Sequence, residues 1–413
     1  MPAASTPYLD VPRFIGARPG RRAPAQTGSR CVGATKEDSI RRIARTHPLA
    51  VLALLALAML AAAGCVKQNN PQGWAGPVVE GDLLVASTDK GKLSALRTTD
   101  GFSAEWTFPT GDEEPKIELE AIYGTPLVID GTVYLAGYSG DVYALGLDDG
   151  EVRWRFDAGA PVIASLAVTF RGGNTQLDAA ESILVATDDG TLYALDPKEG
   201  NEQWRFDVGT GIWGQPLVDK LIFVASVDGR LYALAAGDGE VREAWRFETE
   251  HGLISDPVLS GGTLLIGGID RTLHAVDAET GEERWSFKTD NWFWGRPLVN
   301  DGTVYAPNLD GRLYALNLED GSAAWDAPFE AEEPLRSAPV LAGEVLVIVD
   351  RGGNVYGLDP AEGGLKWAAA AALEKTVLAD PAVLDGKVVV SAEGGDLFSV
   401  DPVAGSFVKV VTE

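Results

Sequence analysis

Residues Ala275–Trp285 read AVDAETGEERW, and the rest of the chain is organised around repeats of that phrase. It returns as ALDPKEGNEQW (Ala194–Trp204), ALNLEDGSAAW (Ala315–Trp325) and GLDPAEGGLKW (Gly357–Trp367), and looser copies close at Trp106, Trp154 and Trp245. Seven tryptophans thus recur every 40 to 50 residues, a period that signals a propeller, solenoid or array.

One unit, Pro297–Trp325, shows what the repeat builds. PLVN is a short apolar strand turned back by Asp301-Gly302, TVYAPNL is a second strand ending at Asp310-Gly311, and RLYALNL is a third. Glu319-Asp320-Gly321 leads into a fourth strand around Trp325. Asp-Gly between alternating segments is a strong hairpin signal, because a type I′ turn needs φ > 0 at both central residues. Four antiparallel strands in about 40 residues make one propeller blade. Blade starts fall at Pro77, Pro126, a degenerate site near Ala167, Pro216, Pro257, Pro297, Pro339 and Pro381. The expectation is an all-β, eight-bladed propeller, with seven blades as the alternative count. A polar insertion, Arg171–Ser182, reads as a surface loop in the third unit, and the last unit has no tryptophan. A closed ring buries both faces of each sheet and leaves only short edges. The repeat Trp supplies apolar area plus an N–H that needs a carbonyl. The glycine four residues before it in most units suits a positive φ.

The 413 residues carry a formal net charge of −26. Residues 1–64 hold nine Lys/Arg against three Asp/Glu, so the remainder has 25 basic and 57 acidic side chains, or −32. Such a surface repels phosphate and argues against nucleic-acid binding.

Arg41, Arg42 and Arg45 precede the apolar run Pro48–Ala63, followed by Gly64-Cys65. A basic region, a short apolar run and a small-residue boundary describe a secretory signal. The run falls short of the roughly 20 residues of a comfortable span, although an uncleaved membrane anchor is the alternative. Ala62-Ala63-Gly64-Cys65 resembles the bacterial lipobox, which implies a diacylated Cys65 as the mature N-terminus. The expected organisation is a basic segment and signal over 1–64, lipidated Cys65 and a tether over 65–73, and the propeller over 74–413. Either reading places the propeller outside the cytoplasm and tied to a membrane: in the periplasm or at the outer membrane, or on the outer face of the cytoplasmic membrane.

The repeat resembles that of pyrroloquinoline-quinone (PQQ) propellers, whose tryptophan-docking motif, A-x-D-x-x-T-G-x-x-x-W, is matched in full at Ala275–Trp285. The resemblance implies docking roles for Trp106, Trp154, Trp204, Trp245, Trp285, Trp325 and Trp367. Quinoprotein dehydrogenases of that kind add a vicinal disulfide and a calcium set, and this chain has only Cys31 and Cys65. A lipid-anchored, undecorated ring is similar instead to the BamB-type lipoproteins of the outer-membrane β-barrel assembly machinery. That similarity implies a non-catalytic scaffold with protein partners and no cofactor. A PQQ-binding redox protein and a carbohydrate-binding surface module are the other two readings.

Residue chemistry points the same way. His274 replaces the Tyr of LYAL and reads as a strand residue, while His251 has no second His or Cys near it. Zinc needs several such ligands together. Asp148-Asp149-Gly150, Asp188-Asp189-Gly190 and Asp238-Gly239-Glu240 lack calcium-loop spacing and fall at turns. No metal site or catalytic residue is indicated.

The four tryptophans outside the docking set are Trp74, Trp213, Trp292 and Trp294. Trp213, Trp292 and Trp294 lie just before a blade's first strand, as does Tyr123. Equivalent loops gather on one face of a propeller, so Tyr123, Trp213, Trp292, Phe293 and Trp294 are expected to form an aromatic collar, with Arg296 and Arg336 at its edge. Trp, Tyr and Arg are the residues enriched at interface hot spots, which makes this collar the candidate partner-binding surface. The alternative is that the rings plug the channel mouth and pack on one another.

Overall fold

The computed structural model describes residues 73–410, apart from 90, 114, 171–179, 238–239 and 369–371. The signal-like run, Cys65 and nearly all of the tether lie outside the described residues. Among these residues, thirty-two strands form eight four-stranded antiparallel sheets, each drawn from four consecutive strands. The blades span residues 78–108, 127–157, 167–207, 217–248, 258–288, 298–330, 340–368 and 382–410. The expected eight-bladed ring is therefore the fold.

Burial follows position in the blade. Second and third strands are sandwiched between neighbouring sheets, and their near-continuous apolar sequences reflect it: every residue of Thr263–Gly267 is buried. Outer strands pack on one side only, so Glu202–Asp207 alternates exposed and half-buried residues. First strands of adjacent blades approach one another and so line the bore. Turns at Asp130-Gly131 and Asp301-Gly302 have positive φ at both residues (46° and 73°; 47° and 76°), as type I′ geometry demands. At Asp310-Gly311 only the glycine is left-handed, and the Asp310 carboxylate accepts the Arg312 N–H instead.

Two sequence expectations need adjusting. The polar insertion is expected to run to Ser182, but Ala180–Ala186 is a strand of the third blade. The fourth strand of blade 6 is not centred on Trp325. It is only Phe329–Glu330, because Pro328 offers no N–H to a ladder and the chain bends away after a single bridge at Ala323.

The docking role of the repeat is visible at the blade joints. Five of the repeat indoles lie on the motif glycine of the next blade and donate their N–H to a carbonyl three residues before that glycine. Trp106 reaches Leu147 at 2.7 Å, Trp154 reaches Pro197 at 3.0 Å and Trp285 reaches Leu318 at 2.9 Å. Trp325 and Trp367 reach Pro360 and Pro402 in the same way. A Cβ on Gly150, Gly200, Gly281, Gly321, Gly363 or Gly405 would lie 2.5–2.7 Å from the docked indole. Trp245 docks on Gly281, but its buried N–H finds no acceptor among the described residues. A second interlock pairs an outer-strand Phe with the next blade's Tyr, as in Phe156–Tyr193 and Phe287–Tyr314. Blade 8 has no tryptophan, and the space over Gly101 of blade 1 is open. The closing joint relies on an apolar cluster of Leu84, Ala86, Leu96, Leu384, Val389, Leu397 and Val410, with Phe102 against it.

Candidate functional site: the mouth of the channel

The loops that precede the first strands converge on one face, and in blades 2 to 8 the turn between second and third strands is tied to that loop. The N–H of Tyr138 donates to Ala121 O, that of Val227 to Gly211 O, and that of Leu309 to Trp292 O. The side chain three residues before each blade start is thereby aimed at the mouth.

Five of those side chains, Tyr123, Trp74, Arg336, Trp294 and Trp213, form one connected chain. Tyr138 stacks edge-on against Tyr123 at 5.4 Å, and Tyr123 against Trp74 at 4.2 Å. The Arg336 guanidinium lies over Trp74 at 4.0 Å and over Trp294 at 4.5 Å. Trp294 meets Trp213 at 6.1 Å, and the Trp213 indole donates to Asp188 Oδ1 at 2.6 Å. The contacts run through blades 2, 1, 7, 6 and 4. Trp74, Tyr123, Trp213 and Trp294 are each half-buried, so their outer edges remain open to solvent. A cation between two indoles is held by their negative π faces. Burial and the neighbouring Arg351 push the Arg336 guanidinium down to about 10, against the pull of Asp380 and Tyr123.

The expected collar is thus present, with changes in membership. Phe293 does not belong to it: the ring is 1% exposed and packs in the core with Leu265, Leu273 and Trp285. Alternation along the loop explains this, since Trp292 and Trp294 flank it and point the other way. Trp292 is half-buried and makes no ring contact among the described residues. Arg336 is not at the edge but at the centre, 7% exposed. Arg296 leans into the bore, 3.8 Å from Asp380. Trp74 is the residue the collar reading left out, although it stands three positions before Pro77, as Tyr123 does before Pro126.

Inside the mouth, the residues one position before each blade start form a second tier. The Asp256 carboxylate accepts the Gln215 N–H at 2.6 Å, and the Asp380 carboxylate accepts the Ala338 N–H at 2.7 Å. Each aspartate laces its blade to the preceding one. Enclosure first, and then Asp380, push the Asp256 carboxyl up, while the Gln215 N–H and Arg296 oppose that. The expected turn chemistry also holds where it is described. Asp149 Oδ1 accepts the Glu151 N–H, and Asp189 Oδ1 accepts the Thr191 N–H and the Thr187 hydroxyl. Asp238 and Gly239 lie outside the described residues. Among the described residues no helix is long and apolar enough to cross a membrane.

Fold and repeat define a PQQ-like β-propeller. A family profile described as "Outer membrane protein assembly factor BamB" matches residues 67–168, 139–252 and 242–406, and the chain belongs to that family. Curated relatives include two proteins of that name. The one from Alkalilimnicola ehrlichii is 34% identical over 89 residues, covering 21% of this chain and 23% of the relative. The one from Salmonella typhimurium is 24% identical over 209 residues, covering 50% of each. The chain therefore spans half or less of the length of these curated relatives. A quinohemoprotein alcohol dehydrogenase, ADH-IIG of Pseudomonas putida, is 26% identical over 181 residues, 41% of this chain and 20% of that one. Among solved structures, BamB from Moraxella catarrhalis superposes with a TM-score of 0.63 at 19% identity, covering 78% of this chain and 92% of that one. The computationally designed Ika8 protein gives 0.65 at 13% identity, covering 80% and 96%. Both likenesses speak to the fold alone.

Proposed function

We propose that this protein is a non-catalytic scaffold whose aromatic mouth docks a partner protein of the outer-membrane β-barrel assembly machinery. In this reading a diacylated Cys65 anchors it to a membrane on the extracytoplasmic side. The observation that carries the proposal is the half-exposed chain of Trp74, Tyr123, Trp294 and Trp213, locked by Arg336 across one face. Rigid aromatic side chains with a charged rim suit a protein hot spot, since little conformational entropy remains to be lost on binding. Family membership favours an assembly partner over a sugar or a quinone.

Affinity capture from the native envelope tests the docking surface. Wild-type protein is expected to retain an outer-membrane assembly protein, and a folded Trp213→Ala/Trp294→Ala double variant to lose most of it. Undiminished capture by the double variant contradicts the proposal. A chromophore or glycan co-purifying in place of any protein would shift the reading to ligand binding.

A further inference from the structure

One turn of the propeller breaks its own rule. The residue before the third strand is a left-handed glycine in six blades, Gly91, Gly140, Gly190, Gly229, Gly311 and Gly395, and in blade 7 Gly353 takes that place one residue earlier in the turn. In blade 5 it is Arg271, at φ 69°. Left-handed backbone is unfavourable for a long side chain. In most of the other blades the following loop closes over the glycine: a Cβ on Gly190 would meet Thr210 O at 2.4 Å, and one on Gly353 would meet Lys375 O at 2.6 Å. At blade 5 the corresponding loop, 289–291, makes room for a Cβ. A recess of about 430 Å³ opens there, lined by Arg271, Phe287, Lys288, Thr289, Asp290 and Tyr314.

The turn is held rigidly from behind. The Asp270 carboxylate accepts the Thr272 N–H through Oδ1 at 2.9 Å and meets buried His274 Nε2 through Oδ2 at 2.7 Å. His274 Nδ1 meets Glu283 at 2.7 Å. The neighbouring arginines are neutralised, Arg284 by Asp277 and Arg312 by Glu330. Arg271 and Lys288 have no side-chain ion pair or hydrogen bond among the described residues. Two unpaired cations therefore face one recess in a strongly acidic molecule, and the recess is also lined by the rings of Phe287 and Tyr314, whose centroids lie 5.1 Å apart.

We propose that this recess between blades 5 and 6 binds a peptide carboxylate, gripped by Arg271 and Lys288, with the ligand's apolar neighbour against Phe287 and Tyr314. A guanidinium fork matches the two oxygens of a carboxylate. Asp290 in the lining disfavours a doubly charged phosphate and suits a single negative charge. The carboxylate is either a chain terminus or an Asp/Glu side chain. This site lies outside the mouth and stands independently of what docks there.

Calorimetric titration of the full-length protein in detergent tests it with three probes: N-acetyl-phenylalanine, its amide, and N-acetyl-Glu-Phe-amide. Binding of the first assigns a chain terminus and binding of the third a side chain. Either should be at least about ten-fold tighter than the amide, weaken with salt and drop by a similar factor in Arg271→Gly. That variant restores the residue the other blades use, so its melting temperature should hold or rise. Lys288→Ala, on a strand that needs no charge to pair, is the second variant and should weaken binding as well. Equal binding to the amide, no binding of either carboxylate, or full binding by both variants overturns the proposal.

Discussion

At the scale of single residues, the motif glycines do two jobs that their neighbours cannot share. Gly321 sits at φ 71°, and a Cβ there would approach the Trp285 ring to 2.6 Å. Gly101 has the same φ of 71° but nothing within 4 Å of its Cβ position, because blade 8 sends no indole. Gly101→Ala should therefore lose only the left-handed penalty of about 1–2 kcal/mol. Gly321→Ala should lose a further 1–3 kcal/mol or so from overpacking, and urea unfolding of the two variants measures the difference. Equal losses would mean that docking contributes nothing. His274 gives a second test. Burial lowers its pKa, but the carboxylates of Asp270 and Glu283 outweigh that and hold it above its ordinary value. A raised native pKa means stability that is fully present below the unfolded pKa, about 6.5, and fades as pH rises through the native value. Wild type should lose stability from that pH upward. His274→Tyr, whose hydroxyl has the geometry with which Tyr314 reaches Asp310 at 2.7 Å, should show a flatter profile over the same window. A wild-type curve no steeper than the variant's would contradict this.

Elements were legible in the sequence to the extent that local chemistry dictates them. Asp-Gly pairs, period-two outer strands and the Pro that opens most blades located the strands, and blade starts agree to within a residue. The fourth strand of blade 6 is misplaced because the repeat Trp lies inside the fourth strand in the other six units but not here, where Trp325 keeps its hydrogen bond to the next blade and Pro328 decides where pairing occurs. The mouth was half legible. Spacing to the blade Pro identified Tyr123, Trp213 and Trp294, and the same count would have included Trp74. It could not show that Arg336 stacks on Trp74 and Trp294, since blades 1, 6 and 7 meet only when the ring closes. Nor could it separate Phe293 from its neighbours, because adjacent aromatics in a loop alternate in and out only once the backbone is placed. Arg271 was invisible for a different reason: a single Arg among seven glycines looks like ordinary divergence until its φ is known.

For the whole molecule, the ring is closed by joints of unequal strength. Five joints carry an indole with its hydrogen bond made to the next blade. The joint between blades 8 and 1 has neither indole nor strand exchange, and Val383, Val403 and Val408 of blade 8 stay exposed. Subglobal opening starts where buried contacts are fewest, so amides of residues 382–410 should exchange faster with deuterium than those of 258–288. Uniform exchange across the blades would contradict that picture. Trp213 of blade 4 and Trp294 of blade 6 lie away from that joint. The central claim is that this face meets a partner protein. Site-specific photo-crosslinking in the native envelope tests it most directly, with the crosslinker placed at Trp213 on the mouth or at Asp320 in the motif turn on the opposite face. The account predicts a discrete crosslink to an assembly protein from position 213 and none from position 320. A crosslink from 320 alone, or from neither, would contradict it.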